Sequence, residues 1–335
     1  MRLSFWLPVV IAAIAVPPLM AQEAGQSDAP SPAGLSDLAD TLRDLDDAVP
    51  QEAEPEPDTE ATPAVPPAEA EAASAALQTP SEPPPPLTRE QATQLVAAVR
   101  RGQQLAAIAR AGIIATQDML SRVSDPEGAG IAGWIAEPEG NATQVIFYAH
   151  GGEGGDPVAV YRANIMGPRV VSREIFTGAD RPALNPIEAR MARARDATDA
   201  LDHQTCGGQA FNVFVIPPES ASAPVDVYQI SPATRRGHFP LGGHFRSTIA
   251  ADGTVSDERG FTNSCVDLEA PPVPEGQQPR PIAFTHLLDP LPTEVHVFLS
   301  QWIGRPLLVV AGEPQRIFLV TGDRIAEVRD APSGR

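Results

Sequence analysis

Lysine is absent from this chain, and all 24 basic residues are arginine. That absence excludes a phosphate-cradling loop of the Gly-x-x-x-x-Gly-Lys type. No Gly-x-Gly-x-x-Gly follows an apolar run either, so nucleotide-dependent chemistry finds no support. A basic footprint is also missing. The formal net charge is -19, and residues 22–86 hold 15 acidic residues against Arg43 alone, which leaves the remainder close to neutral. Nucleic acid and anionic lipid are therefore excluded as electrostatic partners. Beyond the first twenty residues no run is long and apolar enough to cross a bilayer, a task that takes about 20 apolar residues. Arginine in place of every lysine reads as the mark of a GC-rich coding sequence and a bacterial setting.

The first residues carry what the rest lacks. Met1-Arg2, an apolar run over 3–20 and a small residue at Ala21 form the three-part layout of a secretory signal over 1–21, with cleavage expected after Ala21. Pro8, Pro17 and Pro18 interrupt the run and disfavour the alternative of a retained anchor. Export predicts a periplasmic or secreted location. Cys206 and Cys265, the two cysteines, fit an oxidising compartment as a disulfide, two free thiols being the alternative.

Residues 22–86 are dominated by Ala, Pro, Glu and Asp and cannot bury enough apolar surface to offset the entropy of ordering them, which predicts a disordered, proline-rich tether. Within it Leu35, Leu38, Leu42 and Leu45 recur at helical spacing with acids between, a short amphipathic segment able to dock in a groove. Thr88-Arg89-Glu90-Gln91 matches a capping box and opens a long helix expected to reach about Arg110. Alternating runs at 133–136, 144–149 and 158–165 predict an antiparallel meander, and Asn185-Pro186 with Glu188 starts a second helix to about Leu201. Further strands are expected at 211–216, 225–230, 244–250, 255–259 and 282–288. A short helix over 293–302 and strands at 307–311 and 316–320 then close the chain. The expected fold is α+β, a mixed and largely antiparallel sheet with a long N-terminal helix and a second packed helix. It forms one domain over 87–330, or two close lobes at 87–180 and 181–330.

Three clusters of residues bear on chemistry. Tyr148-Ala149-His150-Gly151-Gly152 resembles the His-Gly-Gly oxyanion segment of α/β-hydrolases, but no Gly-x-Ser-x-Gly elbow accompanies it, and a glycine-rich hairpin loop explains the same residues. Gln204-Thr205-Cys206-Gly207-Gly208, with His150 upstream, is similar to the caspase signature, which would make Cys206 a thiol nucleophile. A disulfide to Cys265 would remove that role.

The third cluster runs from Ala283 to His296. Its strand, Thr285-His286, loop, Thr293-x-x-His296 and helix resemble the core of JAB/MPN-type metallopeptidases over about 45 residues. The resemblance implies zinc held through His286 and His296, with Asp289 as a third donor and an open position for water. Phe284 stands where that family has its first His, His296 where it has an Asp, and no upstream Glu is assignable as general base. His238 and His244 add a second pair, at a spacing that fits no standard metal motif. The stretch from Gly242 to Arg324 is also similar to exported proteins of alphaproteobacterial type to which no activity is attached.

These residues lead to the expectation of a non-enzymatic periplasmic module on a tether, with an envelope or periplasmic protein as partner and no cofactor. The alternative is a hydrolase, using zinc through His286 and His296 or the thiol of Cys206.

Overall fold

A computed structural model describes residues 84–328 except 153–154, 271–272 and 275. The expected signal, most of the tether and the Leu35, Leu38, Leu42 and Leu45 segment lie outside the described residues. Over the described residues the fold is α+β, with three helices and mostly antiparallel sheets. No helix among the described residues is long and apolar enough to cross a membrane.

Helix α1 (Arg89–Leu120) starts as its sequence requires, with a complete capping box in which Thr88 Oγ accepts from the Gln91 N–H and Gln91 returns the bond to the Thr88 N–H. It runs ten residues past the expected end. Strands β1 (Ile131–Glu139), β2 (Ala142–His150), β3 (Pro157–Met166) and β4 (Arg169–Ile175) form the expected antiparallel meander, with β4 added at its edge. Because side chains alternate along a strand, Val145, Phe147 and Ala149 meet α1 in one core while Ile146 and Tyr148 enter a second. Helix α2 (Pro186–Ala197), capped by Asn185 and Glu188, lies in that second core.

A second sheet, in the order β5 (Asn212–Ile216), β6 (Val225–Ile230), β8 (Phe245–Ile249) and β9 (Val255–Gly260), joins the two cores: Phe214 and Tyr228 face the first, Val213, Val215 and Val227 the second. The β8–β9 hairpin turns at Asp252-Gly253, as expected, with Gly253 at φ +87°. Two short strands, β7 (His238–Pro240) and β10 (Asp267–Glu269), pair beside it. Cys206 and Cys265, 59 residues apart in sequence, are joined in a disulfide with Cα atoms 5.4 Å apart.

The last unit is a β-α-β crossover: β11 (Ile282–His286), α3 (Glu294–Ile303) and β12 (Leu307–Ala311), with β11 and β12 parallel. Antiparallel β13 (Arg316–Thr321) and β14 (Arg324–Glu327) complete this third sheet. Its inner face, Leu307, Val309, Phe318 and Val320, packs into the core that also holds α1 and α3. The first core thus contains residues from Leu95 to Val320, drawn from both 87–180 and 181–330.

Candidate functional site

Parallel strands place their carboxyl ends side by side, and the loops that leave them enclose a crevice. Here His286 ends β11 and Ala311 ends β12, and the loops after them border an open cleft of about 700 Å³, the solvent at its mouth included. Thr285, His286, Leu287, Asp289, Gly312 and Gln315 are among its walls. Gly312 has φ +83°, and a Cβ there would lie 3.0 Å from the Pro290 carbonyl oxygen, so a glycine is what lets the two loops meet.

The polar residues at the cleft are joined in a chain of contacts. His286, with its side chain almost fully buried, sets Nε2 2.8 Å from Asp289 Oδ2. Arg259 Nη2 donates to the same oxygen at 2.7 Å. Burial would raise the Asp289 carboxyl, but the hydrogen bond from His286 and the charge of Arg259 outweigh it and hold the group below its ordinary value. The Arg259 guanidinium also lies 4.5 Å from the centre of the Phe261 ring, which stacks on Tyr228. Tyr228 donates its hydroxyl to Glu294 Oε1 at 2.9 Å, in the first turn of α3. The cleft is thereby tied to the second sheet as well as to its own.

His296 sits at the third position of α3, where a capping box usually has Glu or Gln. Its Nδ1 accepts from the Thr293 N–H at 2.8 Å. The ring packs edge-on against His286 at 4.6 Å and near Phe284 at 5.5 Å, so the position that departs from the JAB/MPN pattern carries an apolar ring contact. Burial, then the charge of His286, pushes His296 down to about 3. His244 is also buried. Its Nδ1 accepts from the Ser231 N–H and its Nε2 donates to the Pro240 carbonyl at 3.0 Å, and burial pushes it down to about 4 against the pull of that carbonyl.

The structure therefore brings together His286, Asp289 and His296, with Arg259 as the partner that sequence reading missed. His238 is engaged elsewhere, with Asp267 at 3.0 Å. Both nitrogens of His244 and one of His296 are occupied by hydrogen bonds, and a metal bond there would have to displace one. Among the described residues no group of three or more His, Cys, Asp or Glu is arranged to hold a metal ion.

The other two clusters have structural explanations. Gly151 donates its N–H to the Asp156 carbonyl and Gly152 to that of His150, so amides that would face an oxyanion close the β2–β3 loop instead. With both sulfurs in one bond no free cysteine is found among the described residues, and Cys206 has no thiolate to offer in this state. In comparisons with known proteins the chain matches no family model, no curated protein and no solved structure.

Proposed function

We propose that the chain is an exported, non-enzymatic recognition module, held on an acidic tether and presenting the cleft at the carboxyl ends of β11 and β12 to an envelope or periplasmic protein. The observation that carries this reading is the contrast between the rim and the floor of the cleft. Leu287 is 86% exposed and Leu288 42%, adjacent apolar side chains at the mouth of a concave site. Beneath them the Asp289 carboxylate is already matched by His286 and Arg259, which fixes the loop and leaves recognition to the apolar rim. The disulfide supports an oxidising compartment for the module, and with it export.

A photo-reactive residue in place of Leu287, in the full chain expressed with its own N-terminus, tests the proposal in living cells. One discrete adduct with an envelope protein, lost when Leu288→Asp is added, is expected. Turnover of a peptide or amide substrate by the purified chain, abolished by His286→Ala, would overturn it.

One observation favours a second reading, a hydrolase: His286 and Asp289 form an acid–base pair at 2.8 Å beside the cleft, with His296 in ring contact. Elemental analysis of the chain with His286→Ala and His296→Ala separates the two. Stoichiometric zinc lost in both variants supports the hydrolase.

A further inference from the structure

Among the described residues, only one face of the third sheet packs into the core. Its inner side chains enter the core, and the register sets the remaining ones on the opposite face: Leu308 opposite Leu319 and Val310 opposite Ile317, with Thr285 beside Val310. None of these four aliphatic residues belongs to the core, and Ile317 is 38% exposed. The patch runs directly into the cleft, since Val310 and Thr285 are part of both. Exposed Arg324 lies at its far edge, in line with Ala326, which pairs with Leu319.

The described chain begins beside this sheet, and the tether upstream of it is long enough to reach the outer face. Pro85 is held by a hydrogen bond from Arg316 Nη2 to its carbonyl. Arg316 is the first residue of β13, next to Ile317 on the patch and to Gln315 on the cleft. The Arg316 side chain is buried on the inner face with Phe318 and Val320, so the tether leaves the domain from the core side of the sheet at the start of β13 and must pass the sheet edge to reach the outer face. Upstream lies the one stretch of the tether with helical apolar spacing, Leu35, Leu38, Leu42 and Leu45, carrying Asp37, Asp40 and Asp44 against Arg43.

We infer that this segment docks as an amphipathic helix on the outer face of the β11–β14 sheet, its leucines on Leu308, Val310, Ile317 and Leu319, so that the chain covers its own recognition surface. The dimensions agree. A helix over residues 35–45 is about 15 Å long. Four strands spaced about 4.8 Å apart present a face of similar width. The roughly 40 residues between Leu45 and Pro85 are rich in proline, which extends them by up to about 3.1 Å per residue, a span of about 120 Å that is ample to pass the sheet edge and reach its outer face. Tethering also raises the effective concentration of the segment to about the millimolar range, which favours it over a second copy at ordinary protein concentrations. The acids of the segment find Arg324 at the edge. The consequence for partners rests on the cleft being the recognition site, whereas the contact itself does not.

The test is paramagnetic broadening in the mature chain, with a nitroxide on Ser36→Cys and methyl-labelled Ile, Leu and Val. The methyl signals of Leu308, Val310, Ile317 and Leu319 are expected to lose intensity, to regain it when ascorbate quenches the label, and to behave identically on tenfold dilution. Leu38→Asp with Leu42→Asp should restore them. Unaffected methyl signals would overturn the inference, and so would broadening that survives the double substitution. Broadening that disappears on dilution would assign the face to a second copy instead. Because no partner is needed, failure here leaves the Leu287 cross-link intact, and failure of that cross-link leaves this contact intact.

Discussion

Arg259 and His286 converge on one oxygen, Oδ2 of Asp289, from strands that belong to different sheets: β9 supplies the arginine and β11 the histidine. The carboxylate is thus the joint between the cleft and the sheet behind it. Asp289→Ala is expected to lower unfolding stability by about 1–2 kcal/mol, since it strands a half-buried guanidinium without its charged partner. Arg259→Ala alone and the double variant complete a cycle with a coupling of about 1 kcal/mol, read from urea midpoints at constant slope. Strict additivity would show that the two side chains are neighbours without cooperation.

Stability should fall on mild acidification for a reason that can be assigned. His244 and His296 are held neutral by burial, at about 4 and about 3. In the unfolded chain each would titrate near 6.5. Below that value the unfolded state binds protons that the native state refuses, so stability is flat above about pH 7 and declines as pH drops toward 4. His244 alone accounts for up to about 3 kcal/mol of loss at the lower end. Asp289, held low, adds a loss of the same sign, confined to pH below its ordinary value of about 3.9. Urea melts at pH 7.5, 6, 5 and 4.5 read the slope directly, and a flat profile between 6.5 and 4.5 would contradict the burial of both rings.

The disulfide closes a loop of about 60 residues, worth on the order of 4 kcal/mol through the entropy of the unfolded chain. Cys206→Ser with Cys265→Ser should therefore shift the urea midpoint down strongly, and reduction of the native chain should do the same. The cleft lies on other elements, so a cross-link from Leu287 is expected to survive in whatever fraction stays folded.

Much of this architecture was legible wherever local chemistry decides it. The capping boxes at Thr88 and Asn185, the Asp252-Gly253 hairpin and the β12 run 307–311 are set by neighbours in sequence, and each lies where it was expected. Helix α1 was expected to end near Arg110, and Gly112 lies in the ten residues by which it runs on to Leu120. In the fold that glycine is required by packing, since a Cβ there would run into the Trp134 ring, and the helix continues because Ile113, Ala115 and Met119 are buried beyond it. Strand β4 gave no signal because almost all of it is exposed, so no in–out alternation marks it. At the cleft, His286, Asp289 and His296 were singled out through the resemblance to the JAB/MPN core. Arg259 was not, because its contact with Asp289 spans 30 residues and two sheets.

The apolar rim offers the sharpest separation between stability and recognition. Leu287 is 86% exposed, so Leu287→Asp removes almost no buried area and should leave the urea midpoint within about 0.5 kcal/mol of the parent. Its neighbour Asp289 already bears a charge that His286 and Arg259 balance, and a second carboxylate on the rim would be left unmatched by them. A partner with an apolar surface would then have to bury that charge, which costs far more than the lost methyl contacts. The expected outcome is a normally folded chain that no longer captures its partner, measured as loss of the adduct from a photo-reactive group at Leu288 with an unchanged melting profile. An adduct undiminished in Leu287→Asp would place recognition away from the ends of β11 and β12.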